Sequence, residues 1–566
     1  MRRSVKRVLA LFLLAIMMVS AVGCSSGTPA SSASSASAGD TAGTSSGASA
    51  PTSIVAPVDW PTLIDPGVGS KGSDSTAIAN LYDSLTFPNS DSSISPLVAT
   101  DWDVSEDGTV YTFHLRDDVV FHSGNKLTAS DVKFSMDRML TLGEGYGYLF
   151  VGTVTATEVV DDYTIKFTLA NPSGLFPNML IRLYILDEKL VMENINPTGS
   201  YGEYGDYGKE WLLTNDAGSG PYKVQEMRTE EYLIIEKYAD YWQGWDGKEA
   251  APDTVKLMGG IDTTNMRTLL SRGDIDFSDD AQTMEMYETL EAMDGIDLVR
   301  APMGVNFNAC LNTKLAPTDD IHVRKAMAYA TDYDTIINDI YAGSIKATGP
   351  IPVGMAGSLT QAESPYTFDL EKAKAELAQS PYYNQLISGE MHISLTYCSE
   401  GGAQQENLAL LFQAKMAEIG VTVDITSKPF ATMMTDATTV ETTPNASFVA
   451  FAPSYLDGSG YLRNRYSSET CGTWEQMEWL QDEEIDQMIQ QALTEPDQAA
   501  REALYKEIST KLVEMCPTIW MADLATTIAV RSSHVMTPML EMYQAGESFV
   551  YSVGYGGYYR DFKIVG

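Results

Sequence analysis

Apolar and polar positions change their period along this chain, and each change predicts an element. Trp102 and Val104, then Tyr111, Phe113 and Leu115, alternate around Glu106-Asp107-Gly108. Alternation on both sides of an Asp-Gly pair predicts a β-hairpin, since the glycine supplies the positive φ of a tight turn. Thr128 follows as the N-cap of a helix that runs through Arg138 and beyond, with Asp131 in its first turn. In Val305–Asn312 the period is two again. Phe307, Ala309 and Leu311 should face a core, while Asn306, Asn308, Cys310 and Asn312 point the other way. Leu408, Leu411, Phe412, Met416 and Ile419 keep helical spacing up to Gly420, after which Val421, Val423 and Ile425 alternate as a strand. Ile485, Met488, Ile489, Ala492 and Leu493 mark a helix behind the cap Asp482, and Leu504, Ile508 and Leu512 another, stopped by Pro517. Strands and helices interleave in this half, which predicts an α/β fold.

The first fifty residues have neither period. Arg2, Arg3, Lys6 and Arg7 precede an apolar run from Val8 to Val22 broken only by Ser20, and then Gly23-Cys24. A basic start, a short apolar core and small residues before a cleavage point predict a secretory signal over 1–23. The run falls short of the roughly 20 residues a spanning helix needs. It resembles a bacterial lipobox with Ala21 in place of the usual leucine, which implies a diacylglycerol anchor on Cys24. Residues 25–51 hold one charge, Asp40, and no apolar side chain larger than alanine. Such a segment cannot bury enough surface to offset its ordering entropy, so 24–52 is expected to be a disordered tether with an average reach of roughly 30 Å.

Composition narrows the partners. The chain has 566 residues, 37 Lys and Arg against 76 Asp and Glu, and a formal net charge of −39. Losing the four basic leader residues takes it to about −43. That acidity argues against nucleic acid, which needs clustered cations, and against lying flat on anionic lipid. Its length exceeds one core and predicts two or three lobes. Beyond Cys24 the cysteines are Cys310, Cys398, Cys471 and Cys516, widely spaced and without CxxC; disulfides and free thiols both remain open, and zinc is not expected. No HExxH, Walker loop, GxGxxG after a strand, or GxSxG elbow in the folded part supports an enzyme. No cofactor is expected.

Several stretches in order carry a family resemblance: Leu81-Tyr82-Asp83-Ser84-Leu85, Trp102 to Gly108, Tyr111 to Arg116, Phe121-His122-Ser123-Gly124 and Leu127 to Val132. Gly218 to Tyr222, Tyr238 to Trp242, Gly273 to Asp276, Leu311-Asn312-Thr313 and Asp320 to Ala326 continue it. Over roughly 65–530 the chain resembles the peptide/nickel/oligosaccharide solute-binding proteins of ABC importers, the oligopeptide- and dipeptide-binding proteins. The resemblance implies a two-lobed periplasmic-binding-protein-like fold with a hinge and an extra N-terminal subdomain. Its chain crossings fall near 300–306 and 520–526. Lobe I would then be 53–305 plus 526–566, with a subdomain at about 94–214, and lobe II 306–525. It further implies a monomeric, non-enzymatic receptor on the outer face of the membrane, or in the periplasm of a cell with an outer membrane. This receptor would deliver a small ligand, by default a short peptide, to permease subunits. An oligosaccharide or other polar solute is the alternative within the family; a sensory receptor or a hydrolase on this scaffold is the alternative outside it.

Candidate cleft residues are Asn306, Asn308 and Cys310 on the polar strand face, Trp520 at the second crossing, and four positions of the loop after Phe448. In the family that loop commonly reads W-x-x-D-Y-x-D-P. Phe451 stands for the Trp, Ser454 for the first Asp, Tyr455 for the Tyr and Asp457 for the second Asp. The resemblance gives the first Asp the ligand's α-ammonium; Ser454 lacks the charge for that bond.

Overall fold

The computed structural model describes residues 52–57, 61–259, 265–279, 284–452 and 456–565. Cys24, the leader, the tether up to residue 51, Ser454 and Tyr455 lie outside these residues. Among the described residues no helix is long and apolar enough to cross a membrane.

Three sheets organise the chain, each with its own apolar core. Ser53–Pro57 runs parallel to Thr254–Met258, which continues antiparallel into Tyr232–Lys237 and Tyr222–Arg228. A second sheet orders Ala99–Val104, Val110–Leu115, Thr164–Leu169 and Val154–Asp161, all antiparallel. The third has six strands in the order Ile345–Lys346, Thr518–Val530, Asp297–Leu311, Ala446–Phe451, Ile393–Cys398 and Val423–Lys428.

The local readings hold where a strong pattern meets a cap. In the hairpin Trp102 pairs with Phe113 and Val104 with Tyr111, and Gly108 turns at φ +67. Thr128 caps the helix Ala129–Leu142 reciprocally with Asp131, whose carboxylate accepts from both the Thr128 N–H and hydroxyl. Gly402–Glu418 is the helix before Gly420, and the following strand begins at Val423. Asp482 accepts from Ile485 N at the head of Glu483–Thr494, and Gln498–Met515 ends before Pro517.

The longest strands, Asp297–Leu311 and Thr518–Val530, pair antiparallel with each other and join the cores. Leu298, Val299 and Ala301 lie in cores on one side, Phe307, Ala309 and Leu311 in the large core on the other. Between them the ladder slips, from Pro302 opposite Ala525 to Val305 opposite Leu524, with Gly304 at φ +65. An irregularity of this kind bends a paired ribbon locally. Here it falls between Pro302 and Val305 on one strand and at Leu524–Ala525 on the other.

Candidate functional site

The strand Asp297–Leu311 alternates as its sequence requires, but its polar face is roofed. Asn306, Asn308 and Cys310 are each at most 2% exposed. The asparagine amides turn to the protein's own groups. Asn306 Nδ2 donates to Asp523 Oδ1 at 2.6 Å and Asn308 Nδ2 to Asn306 O at 3.3 Å. Asn312 Nδ2 serves the carbonyls of Val440 and Thr443, both at 3.0 Å.

The helix Gly458–Tyr466 covers part of this face, and it draws three of the predicted residues into one cluster. Arg465 Nη2 donates to Cys310 Sγ at 2.9 Å and to Glu478 Oε1. The Arg465 guanidinium carbon lies 5.5 Å from the centre of the Phe451 ring, which also meets Tyr461 and Trp474. Glu478 Oε1 accepts from Thr518 Oγ1 at 2.8 Å, Tyr466 OH donates to Thr518 Oγ1, and Trp520 Nε1 donates to Tyr466 OH at 2.9 Å. Phe451, Cys310 and Trp520 are thus parts of one buried network around an arginine, with Asn308 one pleat along. Burial pushes the Cys310 thiol up to about 12, although the Arg465 charge opposes it. The thiol is therefore neutral and unreactive. Cys398, Cys471 and Cys516 are free thiols as well.

The network is not fully satisfied. Arg465 Nε and Nη1, Glu478 Oε2, Asn308 Oδ1 and Ser447 Oγ are buried without a hydrogen-bond partner among the described residues. Ser447 pairs across the ladder with Cys310, so these atoms share one region. Native interiors leave few such groups unpaired, because each costs about 1–3 kcal/mol. Pattern reading missed Arg465 and Glu478. The helix Gly458–Tyr466 is buried nearly all round, so its Arg463-Asn464-Arg465 stretch mimics a solvated face and no amphipathic stripe exposes it.

Asp457 opens that helix, and the structure gives it three partners. Oδ1 accepts from Ser459 N at 2.8 Å and Tyr505 OH at 2.7 Å; Oδ2 accepts from Asn178 Nδ2 at 3.3 Å. Asn178 belongs to the short helix Phe176–Met179, which packs in the core of the second sheet. No sequence signal singled it out. At the bend, Asp523 is held by the amide of Asn306 and by Val353 N at 2.8 Å. Burial lifts its carboxyl to about 7, and these two hydrogen bonds only partly offset the rise.

Comparison with known proteins extends the picture beyond this geometry. The profile of the bacterial extracellular solute-binding proteins, family 5, matches residues 93–472. The chain is 26% identical over 490 residues to the probable D,D-dipeptide-binding periplasmic protein DdpA of Escherichia coli K12, covering 85% of this chain and 90% of that one. It is 24% identical over 470 residues to the glutathione-binding protein GsiB of Pectobacterium atrosepticum, covering 81% and 86%. The fold matches HbpA2 from Haemophilus parasuis with a TM-score of 0.74 at 23% identity, over 86% of this chain and 96% of the other. That likeness makes the architecture the two-lobed one of periplasmic binding proteins. With more than half its length matched to the profile, the chain belongs to the bacterial extracellular solute-binding proteins of family 5, which bind solutes and do not transform them.

Proposed function

We propose that this chain is a lipid-anchored receptor that captures a short peptide, or a related small polar solute, outside the cell and hands it to the permease subunits of an ABC importer. The family match over residues 93–472 carries the reading. Relatives named for binding a D,D-dipeptide and glutathione support the ligand class. In this reading lobe I is about 53–305 plus 526–566, with a subdomain at about 94–214, and lobe II is about 306–525. The lobes close about the bend near Gly304, and the ligand contributes the difference between its affinities for the closed and open forms. Cys24 carries the anchor and the Ser/Ala/Gly-rich segment the tether. The receptor acts as a monomer without a cofactor.

The ligand carries no free α-ammonium at the end that reaches the 451–457 loop. Ser454 offers no charge there, and the Asp457 carboxylate is already engaged by Ser459 N, Tyr505 OH and Asn178 Nδ2. A buried ammonium without a carboxylate of its own is strongly disfavoured. Mass spectrometry of the compound released when purified protein is denatured tests the ligand class; an oligosaccharide or a metal complex there overturns the peptide. Calorimetry with a free and an N-acetylated tripeptide tests the amine. Equal affinity is expected, and a free peptide binding more than tenfold tighter, about 1.4 kcal/mol, refutes it. Cys24→Ser should release the protein into the medium or leave it unprocessed. A mutant processed and retained like wild type removes the anchor from the reading.

A further inference from the structure

Two cores that belong to different sheets meet along a polar seam, and both sides of the seam are braced before they touch. On one side Tyr111 OH donates to Ser173 O at 2.6 Å, fixing the loop that carries Gly174. On the other, Arg501 Nη1 donates to Glu495 O at 2.9 Å, fixing the turn after the helix Glu483–Thr494. Gly174 N then donates to Leu493 O at 2.8 Å across the seam. A Cβ on Gly174 would lie 2.3 Å from Glu495 O and 3.0 Å from Glu495 C, both backbone atoms that cannot swing aside. Glycine is required here by the closeness of the two chains.

A few residues further along, Asn178 Nδ2 reaches Asp457 Oδ2 at 3.3 Å. Ser459 N and Tyr505 OH, both on the far side, hold the carboxylate in position for it. Asn178 and Ser459 are 4% and 2% exposed, and Asn178 Oδ1 and Ser459 Oγ have no hydrogen-bond partner among the described residues. Besides the Gly174 N–Leu493 O bond, the side-chain link across the seam is thus one long hydrogen bond beside two unpaired buried atoms, which makes a weak joint.

We propose that Asn178 and Asp457 are the positioning residues of an interlobe latch, with Gly174 letting the two backbones approach, and that the latch is too weak to hold the lobes shut without ligand. The proposal rests on the receptor reading above. It adds which residues set the register of closure and why an empty receptor reopens. The ligand supplies the remaining free energy, so the permease meets a closed receptor chiefly when it is loaded.

The test measures an interlobe distance. Spin labels go on Val160→Cys and Leu410→Cys, whose native side chains are exposed, in a Cys398→Ala, Cys471→Ala background. Pulsed electron resonance then reads the distance with and without millimolar N-acetyl-tri-alanine. Wild type should show a minor short-distance population that grows with N-acetyl-tri-alanine. Gly174→Ala should lose it by wedging the seam. Asn178→Asp should lose it by facing one carboxylate with another, and should weaken N-acetyl-tri-alanine binding about tenfold, or about 1.4 kcal/mol. Adding Asp457→Asn to Asn178→Asp should restore both, because the pair is rebuilt in reverse and asparagine caps a helix as well as aspartate. Unchanged thermal midpoints show that the fold survives. A short distance that persists in Gly174→Ala and Asn178→Asp, or no rescue in the double variant, overturns the latch and leaves the receptor reading intact. A wild type that never populates the short distance overturns the latch and lobe closure together.

Discussion

Arg138 and Asp65 meet fork to fork. Nη1 reaches Oδ1 at 2.7 Å, Nη2 reaches Oδ2 at 2.6 Å, and Nε donates to Tyr207 O at 2.9 Å. Arg465 and Glu478 meet through one nitrogen and one oxygen, and the remaining Nε, Nη1 and Oε2 have no partner among the described residues. Both pairs are almost fully buried. The first joins the segment around Asp65 to the helix Ala129–Leu142. The second lies under the helix that follows the 451–457 loop. A bidentate pair in which every nitrogen and both carboxylate oxygens have a partner compensates for the desolvation of its charges; a pair with three unused atoms compensates less. The difference teaches that burial alone does not set how completely a charged pair is satisfied: the Asp65–Arg138 pair uses every side-chain nitrogen and carboxylate oxygen, while the pair beside the candidate site leaves three atoms over.

Asp65→Asn is the strongest way to break the comparison. It strands a buried guanidinium and should cost about 3–5 kcal/mol of stability in chemical denaturation. A third kind of buried charge sharpens it. Asp523 is held by an amide and a backbone N–H where the others have a guanidinium, and its carboxyl stands near 7 against an ordinary 3.8. The folded state therefore holds a proton that the unfolded state releases between those values. The stabilisation is complete below 3.8 and lost as pH rises through 7. From pH 5 to pH 7 this group should lower stability by about 1.4 kcal/mol per unit. Asp83 and Asp131, each raised to about 6 by burial, act in the same direction. Asp523→Asn should flatten the curve between pH 6 and pH 7, and a slope that survives the substitution there would assign it elsewhere. Glu478→Gln should cost about 1–3 kcal/mol, less than Asp65→Asn because the pair it breaks is already incomplete. Equal losses would erase the distinction between the pairs. Thr128→Ala, at the reciprocal cap of the helix that bears Arg138, should cost about 1 kcal/mol and leave ligand binding unchanged.

Sequence alone determined what is local or periodic: the hairpin about Asp107-Gly108, the Thr128 and Asp482 caps, the alternation of Phe307, Ala309 and Leu311, and, through an ordered set of motifs, the family and its two-lobed fold. These follow from backbone geometry and side-chain period, which act over a few residues. The polar face of Asn306, Asn308 and Cys310 was legible as a face, but not what covers it. Its roof comes from residues about 150 positions later, Arg465 binding Cys310 and Glu478 closing the pair. Asn178 carried no signal, since an asparagine in a short helix looks the same with or without a partner 279 residues away. Only the tertiary structure decided which polar groups meet, because the desolvation that makes their pairing matter is set by chain segments far apart in sequence.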